Sequence, residues 1–370
     1  MTLPQLPELI DRAVHLADHI KGDLDSRWYA ASDIELCIRW LHTNEIRATA
    51  SVEPSLDRVR RHVISLSYGL IQELYSIALE FARFTKGRPE QQGVHLGVHM
   101  LPAQFDLLEA ADLMFTAGVL FVIYHEIGHL NQNHGAIRSL YGTGTASCTI
   151  DDFEIAGEES ISGAEAAISH ATEFAADAEA LDWMATQLEV FEDSDYLDHA
   201  YLHCAMVSCI MFLFNGDRPV QLDAEPVGTH PYPVIRMDYW VQLYAERIDL
   251  FSEQLRVTEE KSAIVKRLSD AAFVAALSWL NRGQWLNAPD YSDVCKGSLA
   301  HPNHASYMRH VINTWSRHDQ IARDSRRYGG ALSVLYFTDE FREMVGAVPN
   351  RESFKTHAKK TLEAMTRIGD

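Results

Sequence analysis

The sequence predicts an α+β fold, mostly α, and three observations carry that expectation. Most of the chain places apolar residues at three- and four-residue spacing, as helices facing a core do. Two short stretches near the N-terminus alternate with a period of two, as half-buried strands do. With 47% of its 370 residues hydrophobic, the chain can bury a sizeable core.

The elements follow in order. Residues 8–41 carry helix spacing, so 1–43 reads as an N-terminal helical segment. The stretches 45–52 (EIRATASV) and 62–68 (HVISLSY) alternate, with a polar, turn-like 54–60 between them. Together they predict a β-hairpin within a small antiparallel sheet. Helix spacing returns over 70–84, and 93–100 alternates again as a third short strand. One long helix is expected over 107–134, apolar at first and polar later. The stretch 141–163 has no period and is rich in Gly, Ser, Thr and acids, which reads as a loop and a candidate lid. Helices are expected at 164–188 and 196–214, a Pro/Gly-containing connection at 216–233, and mostly helix from 234 onward. This divides the chain into 1–43, a catalytic unit at 44–250 and a C-terminal helical subdomain at 251–370.

Charge and composition narrow the partners. A formal net charge of -20 with no basic patch argues against nucleic acid or an anionic membrane as the main partner. The five cysteines form no CxxC pair and no disulfide framework, which suits a reducing compartment. The first residues carry no basic cluster followed by an apolar run. The apolar runs 113–124 and 204–214 fall short of the roughly 18–20 residues a spanning helix needs. The expectation is therefore a soluble, cytoplasmic protein.

The chemistry concentrates in Tyr124-His125-Glu126-Ile127-Gly128-His129. Residues four apart stack on one helix face, so both imidazoles can reach one ion. Glu126 sits about 100° further round, where its carboxylate can face water held by that ion. Zinc with three protein ligands keeps a fourth position for such a water, so one Zn2+ per chain is expected. Glu173-Phe-Ala-Ala-Asp177 supplies the best third ligand: Glu173 completes a His2Glu set, and Asp177, one turn on, can accept the second ring N–H of a ligand histidine. The same pair of acids would also suit a solvated helix face. Downstream, His230 stands in Gly228-Thr-His-Pro231, with Arg236 six residues later. Over a cleft the two could donate hydrogen bonds to an oxyanion, although His-Pro is also a common turn element. A second histidine-rich stretch, His301, His304, His310 and His318, fits no usual zinc spacing and reads as surface or packed histidines.

HEIGHLNQNH, then EFAAD, then THPYPVIRM resembles the signature order of the gluzincin peptidases, the branch that includes the HtpX-type and BepA-type proteases. It is most similar to the phage-exclusion peptidase Lit family, over about residues 44–250. The resemblance implies a zincin-like catalytic domain with His125, His129 and Glu173 as zinc ligands and Glu126 as general base. It further implies Asp177 as support for a ligand histidine, and His230 with Arg236 as transition-state groups. In such enzymes a sheet edge binds substrate backbone as an added strand; the 62–68 stretch, with Ser65, Leu66 and Ser67, is the candidate. The expected function is a zinc metalloendopeptidase acting on a protein or peptide substrate, as a defence or stress effector. The alternative is a zinc-containing regulatory or protein-binding module with latent or no peptidase activity.

Overall fold

The computed structural model describes residues 3–30, 32–54, 60–86, 98, 100–142, 150–151, 161–188, 196–215, 222–255, 257–282, 297–326 and 334–350. The chain is mostly helical with a small mixed sheet. The strand expected at 93–100 and most of the 141–163 loop lie outside the described residues.

Helix α1 (Leu6–Leu24) turns a stripe of Leu9, Ala13, Ala17, Ile20 and Leu24 into the core. It starts with a capping box between Gln5 and Glu8. The helix expected to reach residue 41 instead ends in a π-helical turn, Asp25–Tyr29. Strand β1 (Ile34–Leu41) follows, with Ile34 and Leu36 buried and Arg39 exposed. Its sequence IELCIRWL alternates with a period of two, which outweighs the apolar spacing shared with a helix.

Strands β2 (Ala48–Glu53) and β3 (Arg60–Ser67) form the expected antiparallel pair, with Ala48 opposite Leu66 and Val52 opposite His62. β1 then pairs with β3 in parallel along its whole length, from Ile34↔Arg60 to Leu41↔Ser67. The sheet is therefore mixed, not antiparallel. Its order places β3 inside, between β1 and β2. Ser65 and Leu66 have ladder partners on both sides, and Ser67, paired with Leu41, donates its N–H to Arg47 O at 3.0 Å on the other, so none can take a substrate strand; the edge expectation for 62–68 is wrong. A two-residue β4 (Ile150–Asp151) adds to the outer side of β2, with Thr49↔Asp151 and Ala50↔Ile150.

Helix α2 (Tyr68–Lys86) leads toward α3 (Leu107–Asn131), the long helix that carries the histidine motif. Asp106 caps α3, accepting from the N–H groups of Leu108 (2.9 Å) and Glu109 (2.8 Å). Next come α4 (His134–Ser139), α5 (Gly163–Leu188), α6 (Tyr196–Asn215), α7 (Pro233–Leu250), α8 (Ser252–Leu255), α9 (Lys261–Asn281), α10 (His304–Trp315), α11 (Asp319–Ser325) and α12 (Asp339–Val345). One apolar core runs from Leu9 through α2, α3, α6 and α7 to Trp279, so residues on both sides of positions 43 and 250 share it. A second core joins Ile168, Ala171, Phe174 and Ala175 of α5 to Tyr307, Val311 and Trp315 of α10. Helix α5 stands between the two.

The apolar runs at 113–124 and 204–214 belong to longer helices than expected. α3 and α6 (25 and 20 residues) are long and apolar enough to cross a membrane by length and composition. Within the fold, 61% of the apolar window of α3 and 89% of that of α6 is buried, as core helices require.

A buried carboxylate holds α3 and α5 together. Glu179 accepts from Asn131 Nδ2 at 2.5 Å and from Gln132 Nε2 at 2.8 Å, and Gln132 also reaches Ala175 O at 3.2 Å. Burial pushes the Glu179 carboxyl up from 4.5 to about 7, against the opposing pull of Arg326 and these amide donors. Between the two values the folded chain keeps a proton that the unfolded chain has lost, so stability falls as pH rises through that window. Glu179→Gln removes this dependence. Its stability relative to wild type should improve by up to about 3 kcal/mol between about pH 4 and pH 8. Denaturant titration at both pH values checks this, and an unchanged difference would rule the ionisation cost out.

Candidate metal centre

The site is built where α3 crosses α5. Gly128 faces Ala176, and a Cβ on Gly128 would lie 3.0 Å from Ala176 Cα and 3.2 Å from its carbonyl oxygen. Only glycine on one helix and alanine on the other allow so close a crossing. The flanking Ala175 and Ala178 keep the approach free of bulk.

At this crossing His125, His129 and Glu173 converge, each essentially without exposure. His125 Nε2 and His129 Nε2 lie 3.1 Å apart. Glu173 Oε2 is 3.3 Å from His125 Nε2, and Glu173 Oε1 is 3.4 Å from His129 Nε2. Donors on a tetrahedral ion with bonds of about 2.0–2.1 Å stand about 3.3–3.4 Å from one another. The three separations fit a small divalent ion, and two neutral nitrogens with one carboxylate oxygen are a donor set that zinc accepts.

Neighbouring groups fix each donor. Asp177 Oδ1 lies 3.0 Å from His125 Nδ1, so the N–H on that side donates to the carboxylate and Nε2 keeps its lone pair for an ion. His129 Nδ1 lies 2.9 Å from His134 Nδ1. Burial, with His129 and Arg138 close by, lowers the His134 pKa well below the usual value, which keeps it neutral and able to accept. Arg138 donates to Glu173 Oε1 and, through Nε, to Thr172 Oγ1 at 2.7 Å. Arg236 makes a fork on Asp177, with Nε to Oδ2 at 2.9 Å and a terminal nitrogen to Oδ1 at 2.7 Å. Burial drives the Asp177 carboxyl upward, but Arg236 and His125 outweigh it, and its pKa falls below the usual carboxylate value.

Of the expected site residues, His125, His129, Glu173, Asp177, His230 and Arg236 therefore come together, with one change of emphasis. Arg236 also approaches Glu173 Oε2 at 3.5 Å, but its hydrogen-bonding fork is engaged with Asp177, which makes it an orienting group for the His125 side. His230 is buried, with Nδ1 2.8 Å from Thr229 Oγ1 and Nε2 4.0 Å from Glu173 Oε2. If the hydroxyl donates to Nδ1, a neutral ring carries its hydrogen on Nε2, the nitrogen that faces Glu173. Glu126, next to His125 on α3, is fully buried. Among the described residues, His301, His304, His310 and His318 form no metal-binding cluster. Sequence reading missed Arg138, Thr172, His134 and Glu179. A signal existed: Thr172 and Glu179 stand two turns apart on one face of an alanine-rich helix, and a buried face that carries such groups must give them partners.

Compared with family models, with curated proteins and with solved structures, the chain matches none.

Two predictions test the geometry. His125→Ala and Glu173→Ala should abolish tight zinc binding in a competitive chelator titration, whereas Asp177→Asn should weaken it by about 10- to 100-fold. Equal affinity in all three variants would exclude this donor set. Gly128→Val should push α5 off α3, lowering both the thermal midpoint and zinc affinity; a fall in only one of the two would show that the crossing does not set the donor spacing.

Proposed function

We propose that this chain is a zinc metalloendopeptidase in which His125, His129 and Glu173 hold the ion and Glu126 is the general base. The observation that carries the reading is the triangle of donors at 3.1, 3.3 and 3.4 Å with a glutamate adjacent in the motif. A bound zinc would supply Lewis acidity, lowering the pKa of water and polarising a peptide carbonyl. Glu126 takes the proton from the attacking water and delivers it to the leaving amine. His230, with its hydrogen on Nε2, donates to the oxygen that gains charge in the transition state. Asp177 and Arg236 hold His125 in one tautomer and one orientation. The resemblance to gluzincin and Lit-type peptidases supports the same reading, and with it a cytoplasmic defence or stress role on a protein substrate. The free thiols of Cys37, Cys204 and Cys209 are compatible with that compartment.

The burial of the site favours a second reading, a latent enzyme or zinc-holding module. Ile150 of β4 is buried against Ala50, Val52 and His129 in a tight recess, and β4 occupies the outer side of β2 at Thr49 and Ala50. An extended peptide approaching His129 along β2 would need that place.

Glu126→Gln separates enzyme from module. The variant should keep one zinc per chain and lose turnover of an unfolded protein by about 1000-fold or more. New protein termini appearing equally with wild type and variant would end the peptidase reading. Latency predicts in addition that Ile150→Glu, which unseats β4, raises wild-type turnover; an unchanged rate would remove that second reading.

A further inference from the structure

The C-terminal part of the chain reaches the site through a short chain of hydrogen bonds. Tyr307 on α10 is fully buried, and its hydroxyl lies 2.7 Å from His170 Nδ1 on α5. His170, also buried, places Nε2 3.0 Å from the carbonyl oxygen of Gly228. A carbonyl only accepts, so Nε2 carries the hydrogen, Nδ1 accepts, and the phenol donates. Burial raises the Tyr307 phenol well above its usual value, so it stays a donor. The polarity is thus fixed in one direction, from Tyr307 through His170 to Gly228.

Gly228 is the pivot of the segment that carries His230. Its φ of +82° is a left-handed conformation that L side chains rarely adopt. Its N–H donates to Ile161 O at 3.1 Å, and Gly163 N–H donates to Pro226 O at 3.3 Å. The backbone before His230 is therefore tied to the start of α5, and the Gly228 carbonyl sets the plane of the peptide that leads into Thr229 and His230. Two residues after the pivot, His230 Nε2 stands 4.0 Å from Glu173 Oε2.

We propose that Tyr307 and His170 are positioning residues for the peptidase reaction, aiming His230 by fixing the Gly228 carbonyl. The inference rests on the peptidase reading and on the role of His230 within it. It gives the region beyond residue 250 a task in turnover: α10 locks a transition-state group that neither ligand helix carries. Misplacing such a group by about 1 Å can cost about 100-fold in rate, while an ion gripped from α3 and α5 would be unaffected.

The test uses the full-length, zinc-loaded protein and four variants: Tyr307→Phe, His170→Leu, His170→Gln and His230→Ala. Gln keeps an acceptor toward Tyr307 and a donor toward Gly228; Leu keeps neither. Turnover of a fluorogenic peptide is measured with the affinities of a peptide hydroxamate, which needs mainly the ion, and a peptide phosphonamidate, which mimics the tetrahedral oxygen. Tyr307→Phe and His170→Leu should lower kcat by about 10- to 100-fold with little change in KM. They should lose phosphonamidate affinity by a similar factor and keep hydroxamate affinity and zinc content. His170→Gln should recover most of the rate. Unchanged kcat in folded, zinc-loaded Tyr307→Phe, or a parallel loss of hydroxamate affinity, would overturn the positioning role while leaving the peptidase reading intact. A wild type that cleaves nothing would overturn the peptidase reading itself, and an active His230→Ala would remove the group being aimed; either result also ends this inference.

Discussion

Everything in the candidate site hangs on how closely two helices can pass. Side chains on facing helices normally hold the axes apart by 8–10 Å, and the donors of a small ion must come within about 3.4 Å of one another. Gly128 against Ala176 removes the spacers at one point, and the donors stand one turn or less from it on both helices. Glu179 then holds the crossing from the far side through Asn131 and Gln132, so that the approach is bonded as well as permitted. The apolar face of α3 is the other half of the constraint. Buried all round from residue 117 to its end, the helix keeps water away from the imidazoles and makes every partner of a polar group matter.

The fold was legible in sequence wherever a local period decided it. The motif on α3, the Glu173/Asp177 pair one turn apart and the β2–β3 hairpin all depend on neighbours a few residues away, and they stand where spacing places them. β1 was not legible, because IELCIRWL follows a true helix and shares enough apolar spacing to be absorbed into it. Its parallel pairing with β3 is a non-local choice that no hairpin signal encodes. That one strand turns β3 from an edge into the middle of the sheet and removes Ser65, Leu66 and Ser67 from contention. The supports of the site were hidden for a related reason. Arg138, His134, His170 and Tyr307 act across element boundaries, and a lone histidine or tyrosine in a helix carries no sign of which backbone or ring it will meet.

A countable electrostatic argument links the buried cluster to function. Glu173 and Asp177 are buried beside Arg138 and Arg236, and Glu126, next to His125 in the chain, is buried as well. At ordinary charges, three carboxylates against two guanidiniums leave one negative charge in a region with almost no exposure. Five charged groups cost more to bury than apolar side chains of the same volume, so such a cluster is a poor way to stabilise a core. A dication reverses the balance to one positive charge. For the proposed reaction that is the sign needed to draw electron density from a carbonyl, and it would let Glu126 act as a base without adding to an uncompensated negative field. The two arginines have distinct places in this balance: Arg138 sits on the carboxylate that would touch the ion, Arg236 on the carboxylate behind His125. Each tempers one acid without adding charge to the imidazoles, whose neutral form is what a metal site of this kind would require.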